Sequence, residues 1–350
     1  MILKTMKIFV TGATGFIGSH LVEKLIKAGH QVTAYVRKTS SLEYLPKEIE
    51  TAYGDITDYP SLKKSVNGFD AVYHNAALVA DWAKKEDFYR INVEGTKNVL
   101  MALKENNIKK LIFTSTSGVL GEEDCKTPKN EDSPYKPKTD YFLSNIVESD
   151  LNHYRISKML AEKEAIEFCR KNEISLTVIR PVWVYGEREF GSGPFHFCQA
   201  VLDGIPFVPV GKTNRFHVVY VEDLVRAMVL VLGKSLPGIN IFLIGNEKNP
   251  LAQEYLGMFC RYLNVNMPAM LPKIFFKPIG FTLELCYKLF NVRKSPLLTR
   301  SRADMFYCNN IYDVSKAKRE LEFVASTPLE QGVKNTVDWW MKNAKILLKR

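Results

Sequence analysis

At 350 residues, with 46% apolar and 25% charged side chains, the chain can bury a large core as one domain or two and has the make-up of a soluble globular protein. That mixture, without low-complexity tracts or a fixed-period repeat, excludes disordered, fibrous and solenoid classes. The net charge of +10 comes from lysines scattered along the chain, which marks a solvated basic surface or contact with anionic lipid and argues against nucleic acid as a partner.

In chain order, β-rich runs at 7–10, 31–36, 71–74, 110–114 and 176–180 alternate with amphipathic helical stretches such as 17–28 and 93–104. The alternation predicts an α/β fold built on a parallel, doubly wound sheet. Directly behind the first strand stands TGATGFIGSH, residues 11 to 20, with Gly12, Gly15 and Gly18 in the spacing G-x-x-G-x-x-G. These glycines let the chain turn sharply, let bare backbone N–H groups approach a pyrophosphate, and let the helix start pack on the sheet. The turn therefore predicts a dinucleotide, held by Gly12, Thr14, Gly15, Phe16, Ile17 and Gly18.

The end of the second strand, where an acidic residue would accept from an adenosine ribose, holds Arg37 and Lys38. Two cations suit a 2′-phosphate, so NADP(H) is favoured and NAD(H) is the alternative. The fifth strand ends in hydroxyls, Thr114 to Ser117, and a later helix carries Tyr154 and Lys158 one turn apart. An ammonium beside a phenol favours the phenolate, which makes the tyrosine a usable acid/base. The same Y-x-x-x-K spacing recurs at Tyr59–Lys63 and Tyr312–Lys316, but the first falls before the fourth strand and the second in the C-terminal region, whereas Tyr154 begins a long helix between the hydroxyl-tipped fifth strand and the sixth.

After Pro181 the pattern loosens. A second region is expected at 182–214 and 246–350, with the dinucleotide-binding domain at 1–181 and 215–245 returning to it. Strands are expected within 215–221 and 239–245, and a final helix over 328–348. The six cysteines are far apart, with no C-x-x-C and no metal-ligand spacing, so no metal site is expected. Cysteine usage and a start that leads straight into a strand predict a reducing, cytoplasmic setting.

TGATGFIGSHLVEKLIKAGH, GDITD at 54, HNAA at 74, INVEGTKNVL at 91, FTSTSGVLG at 113, HYRISKMLAEKEA at 153 and IRPVWVYG at 179 together resemble the extended short-chain dehydrogenase/reductases, part of the NAD-dependent epimerase/dehydratase superfamily. The resemblance implies a Rossmann-type sheet with a smaller, mostly helical C-terminal substrate domain. It also implies that Asp55 and Ile56 hold adenine and that Ala76, with Ala77, and Pro181 border the nicotinamide. By the same resemblance Thr116 is the catalytic hydroxyl, with Ser115 and Ser117 as alternatives. Tyr154 is the acid/base, Lys158 binds the nicotinamide ribose, and Asn92 anchors a proton relay unless it merely caps a helix.

Sugar-nucleotide members of the family place a diphosphate-binding arginine where this chain has Phe216; Arg215 is one residue off and, on a strand, faces the other way. The 38 residues from Thr116 to Tyr154 and the run from Ser295 to Leu321 are more similar to the dihydroflavonol reductase and 3β-hydroxysteroid dehydrogenase groups. Immediately after that run Glu322 stands where the family usually has a glycine. Trp82, Tyr141, Trp183 and Phe216, with Tyr135, Phe142, Leu143 and Phe190, predict an aromatic pocket for a small hydrophobic substrate. The expected activity is NADP(H)-dependent hydride transfer to or from a sterol-, flavonoid- or long-chain keto-like compound. The alternatives are a sugar-nucleotide epimerase or dehydratase and a non-catalytic NADP-binding scaffold or sensor. A homodimer is a further expectation.

In KIFFKPIGFTLELCYKLF, residues 273–290, Lys273, Lys277, Glu284 and Lys288 fall in one helical stripe and leave a wide apolar face. Pro278 and Gly280 are expected to split it. Either the pieces roof the substrate pocket, or one dips into an anionic membrane with help from Arg293, Lys294, Arg300 and Arg302.

Overall fold

The computed structural model describes residues 5–121, 125–191 and 193–343. The chain opens with β1 (Lys7–Thr11), buried from Ile8 onward as a central parallel strand must be. The glycine turn enters α1 (Phe16–Lys27), followed by β2 (Gln31–Val36), β3 (Glu50–Tyr53), α2 (Tyr59–Ser65) and β4 (Ala71–His74). Helix α3 (Lys85–Phe88) runs through a π-helical segment (Tyr89–Glu94) into α4 (Gly95–Glu105). Then come β5 (Lys110–Thr114), the long α5 (Asp150–Lys171) and β6 (Ser175–Pro181). Beyond Pro181 lie β7 (Trp183–Tyr185), α6 (Gly193–Leu202), β8 (Phe207–Val208), β9 (Val218–Tyr220), α7 (Val221–Gly233) and β10 (Ile239–Ile244). The remaining elements are α8 (Ala252–Tyr262), β11 (Ala269–Met270), α9 (Lys273–Leu289), α10 (Arg300–Met305), α11 (Ser315–Leu321) and α12 (Leu329–Asn343).

Seven strands form one parallel sheet in the order β10-β6-β5-β4-β1-β2-β3. The order reverses between β1 and β4, and at that switch point a crevice opens beyond the strand ends. Two apolar cores cover the two faces, one built with α1 and α7 and the other with α2, α4 and α5. Only the last part of the strand expected within 215–221 forms: β9 pairs with β7 in a separate two-stranded sheet, and the main sheet resumes at β10. The final helix is described as far as Asn343, and the rest of the expected span lies outside the described residues.

Helix α5 buries a polar ridge that includes Asn152, Arg155, Ser157, Lys158 and Glu162. What makes that burial tolerable is an ion pair, Arg180 Nη2 to Glu162 Oε1 at 2.6 Å, with both side chains almost fully buried. Ser115 Oγ donates to the same carboxylate at 2.5 Å and Tyr135 Oη at 2.7 Å, so α5 is pinned to β5 and β6.

Helix α9 is continuous, which corrects the expected break at Pro278 and Gly280. Ion pairs hold the turns on both sides of the proline, Lys273 to Asp304 before it and Glu284 to Arg300 and Lys288 to Asp150 after it. Gly280 marks close packing, since a Cβ there would lie 3.0 Å from Arg300 N. At the end of α11, Glu322 takes a left-handed backbone with φ 56°, which explains why glycine is favoured there. Its carboxylate accepts from Lys234 Nζ at 2.6 Å.

The glycines of the first turn have unequal tasks. A Cβ on Gly12, where φ is +67°, would lie 2.6 Å from Ala76 N, and one on Gly18 would lie 2.0 Å from Gly12 O. On Gly15 the nearest neighbour would be Gly12 O at 3.3 Å, and the residue is exposed. Gly18→Ala is therefore expected to destabilise the protein by about 1–3 kcal/mol, the usual range for overpacking, and Gly15→Ala far less. Urea unfolding of both variants checks this; equal losses would contradict the assignment.

Candidate active site

The N-terminus of α1 emerges from the turn with Gly15 at its cap and no side chain bonded to its first N–H groups. At that helix end the dipole and the uncapped N–H groups favour an anion. Gly12 packs on the backbone of Asn75 and Ala76, and Ala76 N donates to Thr11 Oγ1 at 3.3 Å, so the ends of β1 and β4 are locked together. Thr11 Oγ1 also bonds the buried His74 ring, which burial and the Lys158 charge keep neutral with its pKa down at about 3.

At the neighbouring strand end, Lys158 is buried and donates from Nζ to Thr114 O at 2.8 Å, with its ammonium 4.5 Å from the centre of the Phe113 ring. Burial pulls its pKa down to about 8, against the opposing pull of Glu162. Tyr154, one turn earlier on α5, is half-buried with its ring near that of Phe88. Thr116 is also partly exposed; its Oγ1 accepts from Gly118 N at 3.1 Å, which leaves its own hydroxyl proton to donate. Ser115 is instead engaged with Glu162. The other Y-x-x-x-K pairs look different: Lys63 is an exposed partner of Glu105, and Tyr312 is buried with Oη donating to Gly121 O.

Asn92 lies inside the π-helical segment, so it caps no helix. It is buried, accepts at Oδ1 from Leu78 N (2.7 Å) and donates from Nδ2 to Leu78 O (3.1 Å) and Ser157 Oγ (2.9 Å). Ser157 Oγ in turn donates to Tyr154 O at 2.8 Å. Asn92 thus ties the loop after β4 to the turn of α5 that carries Tyr154.

On the other side of the switch point, Arg37 and Lys38 are exposed just beyond β2. Asp55 accepts at Oδ1 from Thr57 N and Oγ1. Burial works to raise its pKa, but these bonds and the charges of Arg37 and Arg90 outweigh it and hold the carboxyl below its usual range. Ile56 is buried against Gly95.

Of the residues expected around a substrate, Trp183 and Phe216 come together, their ring centres 5.4 Å apart, and Phe216 also meets Phe306 at 4.9 Å. Pro181 closes β6 just before this wall. Trp82 lies under the end of α9, donating from Nε1 to Val292 O. Tyr141 is buried, with Oη accepting from Arg155 Nη1 at 3.0 Å. Tyr135 sits on the Glu162–Arg180 pair, and Phe190 packs on Phe195 and Trp339, so both serve cores outside the aromatic wall.

Residues 8–245 match the model of the NAD dependent epimerase/dehydratase family. The chain belongs to that family. It is 27% identical to the 2-alkyl-3-oxoalkanoate reductase of Shewanella oneidensis over 95% of this chain and 85% of that protein. It is 29% identical to the N-acetyl-alpha-D-glucosaminyl-diphospho-ditrans,octacis-undecaprenol 4-epimerase of Escherichia coli O157:H7, over 97% and 96%. It is 28% identical to the 3-beta-hydroxysteroid dehydrogenase of Mycolicibacterium neoaurum, over 95% and 91%. The family's dinucleotide fits the turn: Gly15 has room on its outer side, and the α1 N-terminus offers uncapped N–H groups.

Sequence reasoning passed over Glu162, Arg180 and Ser157. Glu162 was within reach, since it continues the Tyr154–Lys158 spacing by one more turn, whereas Ser157 and Arg180 carry no spacing signal.

The depressed pKa of Lys158 has a signed consequence for stability. Below about pH 8 the folded apoprotein carries a desolvated charge; between there and the ordinary lysine value of 10.5 the unfolded chain still binds a proton that the folded chain has lost. Stability should therefore rise with pH across that window by up to about 3 kcal/mol. A Lys158→Met variant should lack this component, and urea titrations of both proteins from pH 7 to 10.5 would show it as a difference in slope.

Proposed function

We propose that the protein is an NADP(H)-dependent oxidoreductase acting on a hydrophobic hydroxy/keto compound of sterol-, flavonoid- or long-chain keto-like shape. The observation that carries the substrate class is Phe216. It is buried in an aromatic wall with Trp183 and Phe306, while Arg215 is exposed with Nη1 donating to Asn249 O. That position holds no guanidinium for a diphosphate, and Trp183, the half-buried ring beside it, presents an apolar face to an apolar skeleton. The names of two relatives point the same way, since alkyl-oxoalkanoate and hydroxysteroid are apolar skeletons, whereas the undecaprenol-linked relative's name carries a diphosphate.

When bound, the nicotinamide supplies or accepts a hydride. The chain does the rest. In the reductive direction Tyr154 Oη protonates the carbonyl oxygen, and in the oxidative direction it takes that proton back. Thr116 Oγ1 donates to the same oxygen and orients it. Lys158, mostly charged near neutral pH even with its lowered pKa, stabilises the phenolate and sits where a ribose hydroxyl could reach it. Asn92, through Ser157, holds the Tyr154 turn in register. Arg37 and Lys38 would pair with a 2′-phosphate beyond β2.

The second reading, a sugar epimerase that uses its cofactor without net consumption, is favoured by the 29% identity to the undecaprenol-linked epimerase. Net nicotinamide turnover separates the two.

A screen of sterol, flavonoid and long-chain 3-keto compounds, followed at the NADPH absorbance band, should give turnover with at least one of them. Tyr154→Phe should then lower kcat by roughly 10²–10⁴-fold with cofactor affinity nearly unchanged. Turnover of UDP-sugars or polyprenol-linked sugars without NADPH loss would move the assignment to the epimerase.

Arg37→Asp removes a cation and supplies a ribose acceptor, so the ratio of kcat/KM for NADPH over NADH should fall and invert. Equal kcat/KM values for both cofactors in the parent protein would overturn the NADP(H) preference.

A further inference from the structure

The polarity of α9 is inside out. Its charged stripe faces the protein: Glu284 is 2% exposed and bonded to Arg300, Lys288 pairs with Asp150 and Lys273 with Asp304. Its apolar face is turned outward, with Ile274, Phe275, Ile279, Leu289 and Phe290 between 51% and 79% exposed. Helical spacing of about 100° per residue puts Phe275, Ile279, Leu289 and Phe290 on one side. Seven of the eighteen large apolar side chains exposed among the described residues fall between Ile274 and Leu297. The expectation that this face roofs the pocket fails, because rotating it inward would break three ion pairs, one of them buried.

We propose that α9 and the turn after it form a docking surface for an anionic lipid bilayer. Among the described residues no helix is long and apolar enough to cross a membrane, so α9 would lie along the interface, its rings among the acyl chains. The charges fit that occupant. Arg293 and Lys294 stand three and four residues after Phe290, both exposed and without an ion-pair partner among the described residues, whereas the neighbouring acids Asp81, Asp150, Glu284 and Asp304 are all paired. Arg300 and Arg302, expected at the headgroups, are not available: Arg300 is buried on Glu284 and Arg302 is held by Asp81. A second copy docked face to face would bring Arg293 and Lys294 against their equivalents, which an anionic surface instead attracts. The docking stands on α9 alone; delivery of an apolar substrate from that bilayer rests on the function proposed above.

The test is co-sedimentation of the full chain with phosphatidylcholine vesicles, plain or carrying a minority of phosphatidylglycerol. Binding should require the anionic lipid, weaken as salt rises, and fall at least tenfold in Phe275→Glu/Phe290→Glu and in Arg293→Ser/Lys294→Ser. Both variants should keep the parent's melting temperature and its binding of NADPH measured by fluorescence. Because vesicle binding is read without any substrate, the docking can fail while the oxidoreductase reading stands, and the reverse. No pelleting on anionic vesicles at low salt, pelleting unaffected by the aromatic variant, or a dimer in solution that the same variant dissociates would each overturn the proposal.

Discussion

Lys158 keeps an ammonium out of water at the carboxyl end of a parallel sheet, a position that is unfavourable unless the surroundings are arranged for it. Thr114 O accepts a hydrogen bond from it, the Phe113 ring faces its charge, and Glu162, one turn further on, supplies a compensating field. Glu162 is itself buried and is held there by Arg180, Ser115 and Tyr135. Three elements, α5, β5 and β6, are thereby fixed to one another by charge and hydrogen bonding rather than by apolar packing alone. A network of this kind tolerates little displacement, since each buried charge depends on its neighbour. Tyr154 and Thr116 stand at its edge, partly exposed to solvent.

That arrangement explains what could be read from residue patterns. The central strands were readable because each is a short, nearly continuous apolar run, the signature of a strand covered on both faces. The glycine turn was readable because steric close approach leaves few alternatives to glycine at Gly12 and Gly18. α5 was harder, since its buried face carries Asn152, Arg155, Lys158 and Glu162, the opposite of an apolar stripe. It was marked by Tyr154 and Lys158 one turn apart behind the hydroxyl-tipped strand, and by the resemblance of HYRISKMLAEKEA to a known motif. The capping alternative for Asn92 failed because the backbone continues through it in a π-helical segment, and no local composition signals that geometry.

Helix α9 shows a second limit. Periodicity divides a helix into two faces but does not say which face is inward, and the customary inference that the apolar one is buried holds only when no stronger partner competes. Here Arg300, Asp150 and Asp304, two of them far away or across a turn in sequence, take the charged stripe. Similarly, the loop aromatics Tyr135 and Tyr141 were expected around a ligand because rings suit pockets, yet their hydroxyls are bonded to buried charged groups, Glu162 and Arg155.

The two unusual helices are joined. Lys288 of α9 pairs at 2.7 Å with Asp150, the first residue of α5, and also donates to Glu148 O. Arg300, held by Glu284 of α9, donates to Phe142 O and Val147 O in the segment that leads into α5. An acid in the first turn of a helix is favoured by the helix dipole, so Asp150 both starts α5 and anchors α9, one turn before Tyr154. Whatever rests on the outer face of α9 therefore bears on the same backbone that presents the tyrosine. Trp82, bonded to Val292 O just past α9, brings the loop after β4 into the same contact. The fold thus connects its exposed apolar surface to the start of α5 and to the loop after β4 through short polar links.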